Sequence, residues 1–233
     1  MTNYQKELDK VLQKIENEKA VVPRLFLHSC CAPCSSYVLE YLSTYFEITV
    51  FYYNPNISFE EEYRKRVEEQ KRLIEAYNAE AHTQERRSEE AGKISRHLIS
   101  VVEGDYEPQR FYEMAKGLES CPEGGERCFQ CFELRLRETA LRAAEGKYDY
   151  FATTLTISPL KNAAKLNEIG MALAGEYGVP WLPSDFKKKN GYKRSIELSA
   201  QYDLYRQDYC GCAFSKAERE QQKAVSEEFL AKN

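Results

Sequence analysis

Short apolar runs separated by longer segments of helical periodicity are the main pattern along this chain. The first run, residues 25–27, is followed so soon by Pro33 that it is too short for a helix, and it predicts a buried strand. Pro33 stands where the first turn of a following helix would lie, a position that tolerates proline because its amide hydrogen would be unpaired there. The other predicted strands are residues 48–53, 148–154 and 179–182, with a weak one at 79–83.

Helical periodicity fills most of the chain between these runs. Residues 1–20 predict an amphipathic helix, whose apolar positions are Leu8, Val11, Leu12 and Ile15. Other predicted helices follow Pro33 and cover residues 86–118 with an interruption at 104–105, residues 129–144, a segment containing Leu166, and residues 195–206. The cysteine-flanked segment 121–128 and the lysine-rich segment 186–194 are predicted loops.

Two serine–glutamate pairs have the spacing of helix capping boxes. Ser58 with Glu61 predicts the start of a long charged helix, and Ser215 with Glu218 predicts the start of the last helix. Strands that alternate with helices of these lengths predict a parallel sheet with helices on both faces. We therefore expect an α/β fold with one catalytic domain over residues 21–233, preceded by the helix of residues 1–20.

Length, composition and charge limit the classes of function. With 233 residues and 42% hydrophobic content the chain can bury one sizeable core. Its net charge of -4 argues against a protein covered in positive charge, so a nucleic-acid partner would be gripped at a local basic surface. Residues 1–20 lack the apolar centre of a signal peptide, and no run approaches about 20 apolar residues. We expect a cytoplasmic protein without a membrane partner.

Eight cysteines in a reducing compartment point to metal or redox chemistry rather than to a disulfide framework. They fall into three groups: Cys30, Cys31 and Cys34; Cys121, Cys128 and Cys131; and Cys210 with Cys212. The first group follows the first predicted strand. In a parallel sheet this edge, beyond the carboxyl ends of the strands, is where ligands bind, so we expect the chemistry there.

The spacing of Cys128 and Cys131 is the strongest local signal of metal binding. Two thiolates at this spacing reach one metal centre from a turn that enters a helix, and taken alone they indicate a zinc site or a dithiol redox pair. The adjacent thiols of Cys30 and Cys31 shift the balance, because neighbouring side chains converge poorly on one tetrahedral ion, whereas a four-iron cube offers separate corners. These four cysteines suit a [4Fe-4S] cluster better than zinc.

The remaining cysteines leave alternatives open. Cys34 is placed to bind a second metal beside the cluster, or it is a small buried apolar side chain. Cys121 lies in a loop rich in proline and glycine without a close partner, which favours a bystander role. Cys210 and Cys212 flank a glycine, so they either form a tight, easily reduced disulfide that serves as a redox couple or bind metal.

Three further features carry weaker signals. His28 is interpreted as a core histidine whose ring is satisfied by the backbone, and residues 54–56 as a turn. Lys187, Lys188 and Lys189, with aromatic residues nearby, would hold phosphates and an unpaired base of an RNA, or would simply be solvated surface. By charge alone the surface interpretation is the simpler one.

Six motifs together resemble the cobalamin-independent epoxyqueuosine reductase family. They occur in the family's order between Leu25 and Ser215: residues 28–34 (HSCCAPC), 53–57 (YNPNI), 128–135 (CFQCFELR), 153–162 (TTLTISPLKN), 185–188 (DFKK) and 209–215 (YCGCAFS). The resemblance implies a Rossmann-like, three-layer α/β/α fold of the nucleotide-hydrolase (HUP-like) group. It also implies removal of the epoxide oxygen from epoxyqueuosine at the wobble position of tRNA, giving queuosine.

The resemblance further implies roles for the cysteines. Cys30, Cys31, Cys128 and Cys131 would hold the [4Fe-4S] cluster, Cys210 and Cys212 would be a redox-active pair, and a second, mononuclear iron would lie beside the cluster. Some family members have aspartate at the position of Cys34, so the resemblance leaves the ligand set of that iron open in this chain. The partners would be tRNA and an external electron donor.

Two other functions are compatible with parts of the pattern. A tRNA-thiolating, nucleotide-activating relative would share the fold, but the first turn holds cysteines where a phosphate-binding loop would carry glycine and serine. A zinc-stabilised RNA-binding module without catalysis would explain the cysteines and the lysines alone. Iron and sulfide analysis separates these alternatives from the reductase.

Overall fold

The computed structural model describes residues 2–18, 21–88 and 96–231. Its strands are β1 (Arg24–His28), β2 (Glu47–Tyr52), β3 (Ile99–Glu103) and β4 (Tyr150–Thr153). Its helices are α1 (Tyr4–Glu18), α2 (Ala32–Leu42), α3 (Glu60–Ser88), α4 (Pro108–Ala115), α5 (Glu126–Glu145), α6 (Ala163–Tyr177), α7 (Gly191–Gln201) and α8 (Ala213–Ala231), with a 3₁₀ helix at Thr154–Ile157.

The four strands form one parallel sheet in the order β3-β2-β1-β4. The chain builds outward from β1 to β2 and β3, and then returns to the other side of β1 with β4. The order therefore reverses between β1 and β4, and such a reversal leaves a crevice at the carboxyl ends of the two strands. This confirms the predicted α/β class and parallel sheet, and it locates the crevice next to His28 and Thr153, which are paired in register.

Alternate side chains of β1, β2 and β4 enter different cores, as the two-residue period of a strand requires. In β1, Leu25 and Leu27 belong to one cluster with residues of α1, α2 and α3. Phe26 belongs to a second cluster with residues of α5 and α6. Because both faces of the sheet are covered, the strands are apolar on both sides, and the molecule has three layers.

The N-terminal helix is the predicted amphipathic one. Leu8 and Leu12 are buried in the first core cluster, and Val11 and Ile15 pack against it. Among the residues that the structure describes, no helix has both the length and the apolar character to cross a bilayer.

The third strand lies elsewhere than the pattern predicted. Residues 79–83 are part of α3, where Ala81 is buried and the Thr83 hydroxyl donates to the Ala79 carbonyl. The prediction was wrong because this segment continues the apolar stripe of the helix. The predicted helix over 86–118 is also wrong at its centre, since β3 occupies Ile99–Glu103, an edge strand with few buried side chains. Residues 89–95 of that prediction lie outside the described chain.

Both predicted capping boxes are wrong, and for the same reason. The helix after Ser58 begins at Glu60, and Ser215 lies inside α8. The Ser58 hydroxyl accepts from the Ala213 amide, and the Ser215 hydroxyl accepts from the Cys210 amide. Both serines thus support the loop of Cys210 and Cys212 instead of a helix end.

The end of the chain shows two smaller differences. Residues 179–182 make only one bridge, Phe151 to Trp181, beside β4. The helix predicted over 195–206 is α7, which begins earlier, at Gly191, and ends at Gln201. The lysine-rich loop is therefore shorter than predicted, and Tyr192 and Arg194 are helical.

Asn167 joins α6 to the segment after the bridge. Its amide nitrogen donates to the carbonyls of Ala163 and Ser184, and its amide oxygen accepts from Trp181 Nε1 and the Ser184 amide. Asn162 makes a simpler contact at the start of the same helix, where its side chain accepts from the Lys165 amide.

Replacing Asn167 with alanine should lower the free energy of unfolding by roughly 3–5 kcal/mol, because several buried groups would lose their partners at about 1–3 kcal/mol each. Asn162→Ala, which removes one exposed cap, should cost only about 1 kcal/mol. Urea denaturation followed by circular dichroism measures both. Equal losses in the two variants would contradict the role assigned to Asn167.

Candidate active site

The thiols of Cys30, Cys31 and Cys34 lie together where β1 passes into α2. Their three Sγ atoms are within 4.8 Å of one another, and those of Cys30 and Cys31 are 3.7 Å apart. Cys31 is the N-cap residue of α2 and is fully buried. Its pKa is held well below the usual range, because the thiols of Cys30 and Cys34 donate to it; the helix N-terminus acts in the same direction.

Polar side chains from three elements hold this turn in place. Gln70 of α3 accepts hydrogen bonds from the hydroxyls of Ser29 and Ser35 at 2.7 and 2.8 Å. Asn54, in the turn after β2, donates to the Ser29 carbonyl. Thr154, after β4, accepts from the Cys30 amide. The turn is therefore fixed by the ends of both neighbouring strands.

The second thiol group lies on the first turns of α5, as predicted. Cys128 and Cys131 are followed at helical spacing by Arg135, and Cys131 and Arg135 are buried. Burial raises the pKa of the Cys131 thiol to about 11 and also raises that of Cys128. Both groups are therefore protonated near pH 7 unless a metal ion displaces the proton.

The loop of Cys210, Gly211 and Cys212 is held from several sides. Ser58 exchanges two hydrogen bonds with it, donating its amide to the Gly211 carbonyl and accepting from Ala213. The Ser215 amide donates to Cys212 Sγ at 3.3 Å. Gly211 has a φ of +120°, and a Cβ there would lie 2.9 Å from Ile57. The loop is thus rigid and requires glycine.

Two adjoining cavities bring the three thiol groups together. A cavity of about 300 Å³ is lined by Cys30, Cys31, Cys34 and Cys210 among other residues. A crevice of about 10 Å³ is lined by Cys128, Cys131, Cys210 and Cys212 among others. Four residues line both: Glu123, Arg135, Lys161 and Cys210. Seven of the eight cysteines, all free thiols, therefore surround one continuous site.

Arg135 is a central residue that the sequence reasoning did not assign. It is buried, and its guanidinium donates to the Cys131 carbonyl. Burial opposes the charge, but the nearby thiols of Cys131, Cys210 and Cys30 raise the pKa above its usual range. The sequence does contain a signal for a role of Arg135 in the site. Cys128, Cys131 and Arg135 have the spacing i, i+3, i+7, which puts their side chains on one helix face.

A second cation, Lys161, forms part of the wall of the site. Its side chain is only 8% exposed, and Nζ lies 3.0 Å from the Glu123 carboxylate. Burial would lower its pKa, but Cys210 and Glu123 raise it above the usual range. Glu123 also accepts from the Ser215 hydroxyl, so hydrogen bonds connect Lys161 to the loop of Cys210.

A third cation lies on the other side of the same loop. Arg66 of α3 is buried, pairs with Glu62, and donates to the Cys210 carbonyl at 3.1 Å. Its charge faces Cys31, which raises the guanidinium pKa against the effect of burial. Arg66, Arg135 and Lys161 together offset the negative charge of thiolates in this site.

His28 is the buried structural residue that the sequence indicated. Its Nε2 donates to the Tyr53 carbonyl at 3.1 Å, because a carbonyl only accepts, so Nδ1 accepts from the Thr153 hydroxyl at 2.8 Å. Burial lowers its pKa to about 3. The turn over residues 54–56 does more than reverse the chain, since Asn54 contacts the first thiol turn and Asn56 donates to Cys210 Sγ at 3.9 Å.

The thiols fit a metal centre, but one premise of the sequence argument is wrong. Adjacent cysteines were expected to converge poorly on one ion, yet the 3.7 Å between Cys30 and Cys31 is close to the edge of about 3.8 Å of a tetrahedron with ~2.3 Å metal–sulfur bonds. The backbone allows this because Cys31 is extended at the N-cap of α2, while Cys30 lies in the turn after β1. Spacing therefore does not separate zinc from iron here; the thiol set is compatible with both.

The other predicted positions lie outside the two cavities. Cys121 lines neither cavity, and its carbonyl accepts from Arg127. Lys187 pairs with Asp185 at 3.1 Å, and Lys189 pairs with Asp9 at 2.7 Å. Lys188 has no carboxylate partner among the residues that the structure describes. The lysines precede Tyr192 and Ser195 of α7, which line the larger cavity.

Comparison with known proteins agrees with the motifs. Residues 25–218 match the family described as epoxyqueuosine reductase QueH. The chain is 43% identical to epoxyqueuosine reductase QueH of Staphylococcus epidermidis over 215 residues, which are 91% of this chain and 84% of that protein. It is 40% identical to the QueH of Streptococcus pyogenes, covering 91% of this chain and 79% of that protein. For Thermotoga maritima QueH these values are 32%, 86% and 94%.

These matches cover the strands, both cavities and all eight cysteines. They confirm the resemblance and its reductase activity, and they set aside the non-catalytic zinc module and the tRNA-thiolating relative. The chain belongs to the epoxyqueuosine reductase QueH family.

Proposed function

We propose that this chain removes the epoxide oxygen of epoxyqueuosine in tRNA at a [4Fe-4S] cluster held by Cys30, Cys31, Cys128 and Cys131. A second, mononuclear iron would lie beside Cys34, and Cys210 with Cys212 would be a redox-active pair. The observation that carries this proposal is that seven thiols line two adjoining cavities at the reversal of strand order.

The cavity has a suitable size for the modified nucleoside. About 300 Å³ is at the lower end of the range for small-molecule sites. Its lining includes the thiols of the first turn and the aromatic side chains of Tyr192 and Tyr209. A base can be reached there only after it leaves the stack of its strand, as in other enzymes that act on nucleobases.

The net reaction needs two electrons and two protons: both carbon–oxygen bonds of the epoxide break, a carbon–carbon double bond forms, and the oxygen leaves as water. When bound, the cluster and the second iron would supply single electrons and a Lewis acid for that oxygen. An external donor would supply the electrons. The chain itself has to bind the nucleoside, exclude water and provide hydrogen-bond donors.

Buried cations are the chain's contribution to the electrostatics. Arg135 lies among the proposed cluster ligands and would offset the charge of thiolates. Lys161 carries its proton on Nζ at the wall shared by the two cavities, where it can donate to an oxygen of the bound substrate. Glu123 keeps that ammonium oriented.

The loop of Cys210 and Cys212 has features of a redox couple. Both thiols line the crevice next to Cys128 and Cys131, and Cys210 also lines the larger cavity. Burial raises the pKa of Cys212 to about 12, so its thiol retains the proton in the reduced form. The contacts of Ser58, Ser215 and Arg66 hold the loop in place with both sulfurs free.

Replacing Cys128 or Cys131 with serine should remove the cluster, because one iron loses its thiolate. Iron, acid-labile sulfide and visible absorbance per chain, measured on anaerobically purified protein, should fall to a small fraction of the unsubstituted values. Cys121→Ser is the matched control and should keep all three. Zinc in place of iron, with no visible absorbance, would contradict the cluster.

Replacing both Cys210 and Cys212 with alanine should leave iron per chain unchanged and abolish multiple turnover on tRNA that carries epoxyqueuosine. The reason is that the pair would relay reducing equivalents without binding the metal. Iron content, thiol count before and after reduction, and queuosine formation are measured on one preparation. Lost iron would make both cysteines ligands, and near-normal turnover would refute the redox role.

Replacing Lys187, Lys188 and Lys189 with alanine should weaken tRNA binding. It should also make the slope of log binding constant against log salt concentration shallower by about one unit or more, since each phosphate contact contributes roughly 0.7–0.9 to that slope. Lys188→Ala should account for most of the change, because the other two lysines already have carboxylate partners. Arg142→Ala, at the far end of α5, is the control. Filter-binding titrations between low and high salt measure the slope, and an unchanged slope would return the lysines to solvated surface.

A further inference from the structure

The turn of Ser158, Pro159, Leu160 and Lys161 forms one rim of the larger cavity. Leu160 is 71% exposed, whereas the 3₁₀ helix immediately before the turn is buried throughout. Single exposed leucines are ordinary on a protein surface, so exposure alone assigns no role. What distinguishes Leu160 is its combination with a rigid turn and with the opening of a nucleoside-sized site.

The turn is held on both sides. The Lys161 amide donates to the Ser158 carbonyl at 3.2 Å, and the Leu160 amide donates to the Ser158 hydroxyl at 3.3 Å. Lys161 anchors the turn inward through its ion pair with Glu123. Pro159 restricts the backbone further. An apolar side chain is therefore presented to solvent at a fixed place.

The burial of the Cys31 thiol gives an apolar side chain at the rim a possible task. Cys31, which lines the cavity, is only 1% exposed, so a nucleobase must leave its stack to approach that thiol. Extrusion leaves a gap between the two neighbouring bases and costs stacking energy. Proteins that open a base stack often insert an apolar side chain into the gap.

We propose that Leu160 is a wedge that enters the anticodon loop and occupies the place vacated by the modified wobble nucleoside. This proposal rests on the proposed tRNA substrate. Leu160 would contact the neighbouring base while the extruded nucleoside lies between the turn and the opposite wall, where Tyr192 of α7 lines the cavity. Leu160 is a positioning residue, since it would act on the stack and not on the epoxide.

The test compares Leu160→Ala with Leu160→Met in the cluster-loaded enzyme, using tRNA that carries epoxyqueuosine. Removing the wedge should lower kcat/KM for queuosine formation by about tenfold, the order expected when part of the unstacking energy is no longer offset. Leu160→Met keeps an apolar side chain of similar length and should restore the rate to within about twofold. Val225→Ala, at an exposed apolar position of α8 away from the cavity, is the matched control and should behave as the unsubstituted chain.

A second measurement separates a wedge from a residue that only shapes the cavity. The probe is an anticodon stem-loop with 2-aminopurine on the 3′ side of the wobble nucleotide. The fluorescence of 2-aminopurine should increase when the unsubstituted chain binds and unstacks that base. Leu160→Ala should reduce this increase at saturating protein. A lower kcat/KM with an undiminished fluorescence increase would overturn the wedge, as would a normal kcat/KM. Absence of queuosine with the unsubstituted chain would instead overturn the proposed substrate.

Discussion

The reversal of strand order between β1 and β4 is the constraint on which the site depends. The loops that leave these two strands must diverge. The segment after β1 continues toward β2, and the segment after β4 continues toward the opposite side of the sheet. Cys30 leaves β1 at this point, and Thr154 follows β4 and accepts from the Cys30 amide. The cavity is therefore a consequence of the topology, and the proposed chemistry lies where the diverging backbone leaves room for it.

A buried thiolate is electrostatically costly, and the low pKa of Cys31 makes this cost relevant here. Buried cations offset it. An isolated buried charge is costly, so thiolates and cations are stable in such a place only together. Arg135 comes from α5, Arg66 from α3, and Lys161 from the turn after the 3₁₀ helix. Arg66 and Arg135 come from helices on opposite faces of the sheet, so cations from both faces contribute to the site.

The loop of Cys210 and Cys212 depends on residues far from it in sequence. Ser58 and Ser215 bind its backbone, and both are spaced from a glutamate as in a capping box. Their hydroxyls accept from the amides of Cys210 and Ala213 and so satisfy two backbone donors of the loop. The same residues that suggest helix starts in the sequence are thus supports of the proposed redox couple.

The sequence by itself determined the strand–helix alternation, the place of the first thiol turn at the end of a strand, and the second thiol group at a helix start. These features follow from local periods and from turn residues such as Pro33, so a short stretch of chain carries the information. The motifs also identified the family. The sequence pattern did not predict the edge strand β3, because its few buried side chains give little periodic signal.

Only the tertiary structure decided which side chains meet. The spacing of Cys30 and Cys31 suggested that their sulfurs would diverge, but the extended backbone at the N-cap of α2 brings them within 3.7 Å. A sequence gives no measure of burial, so the burial of Lys161 and its ion pair with Glu123, 38 residues away, were not predicted. Contacts of that kind depend on how whole layers pack, which is the physical reason that local patterns could not predict them.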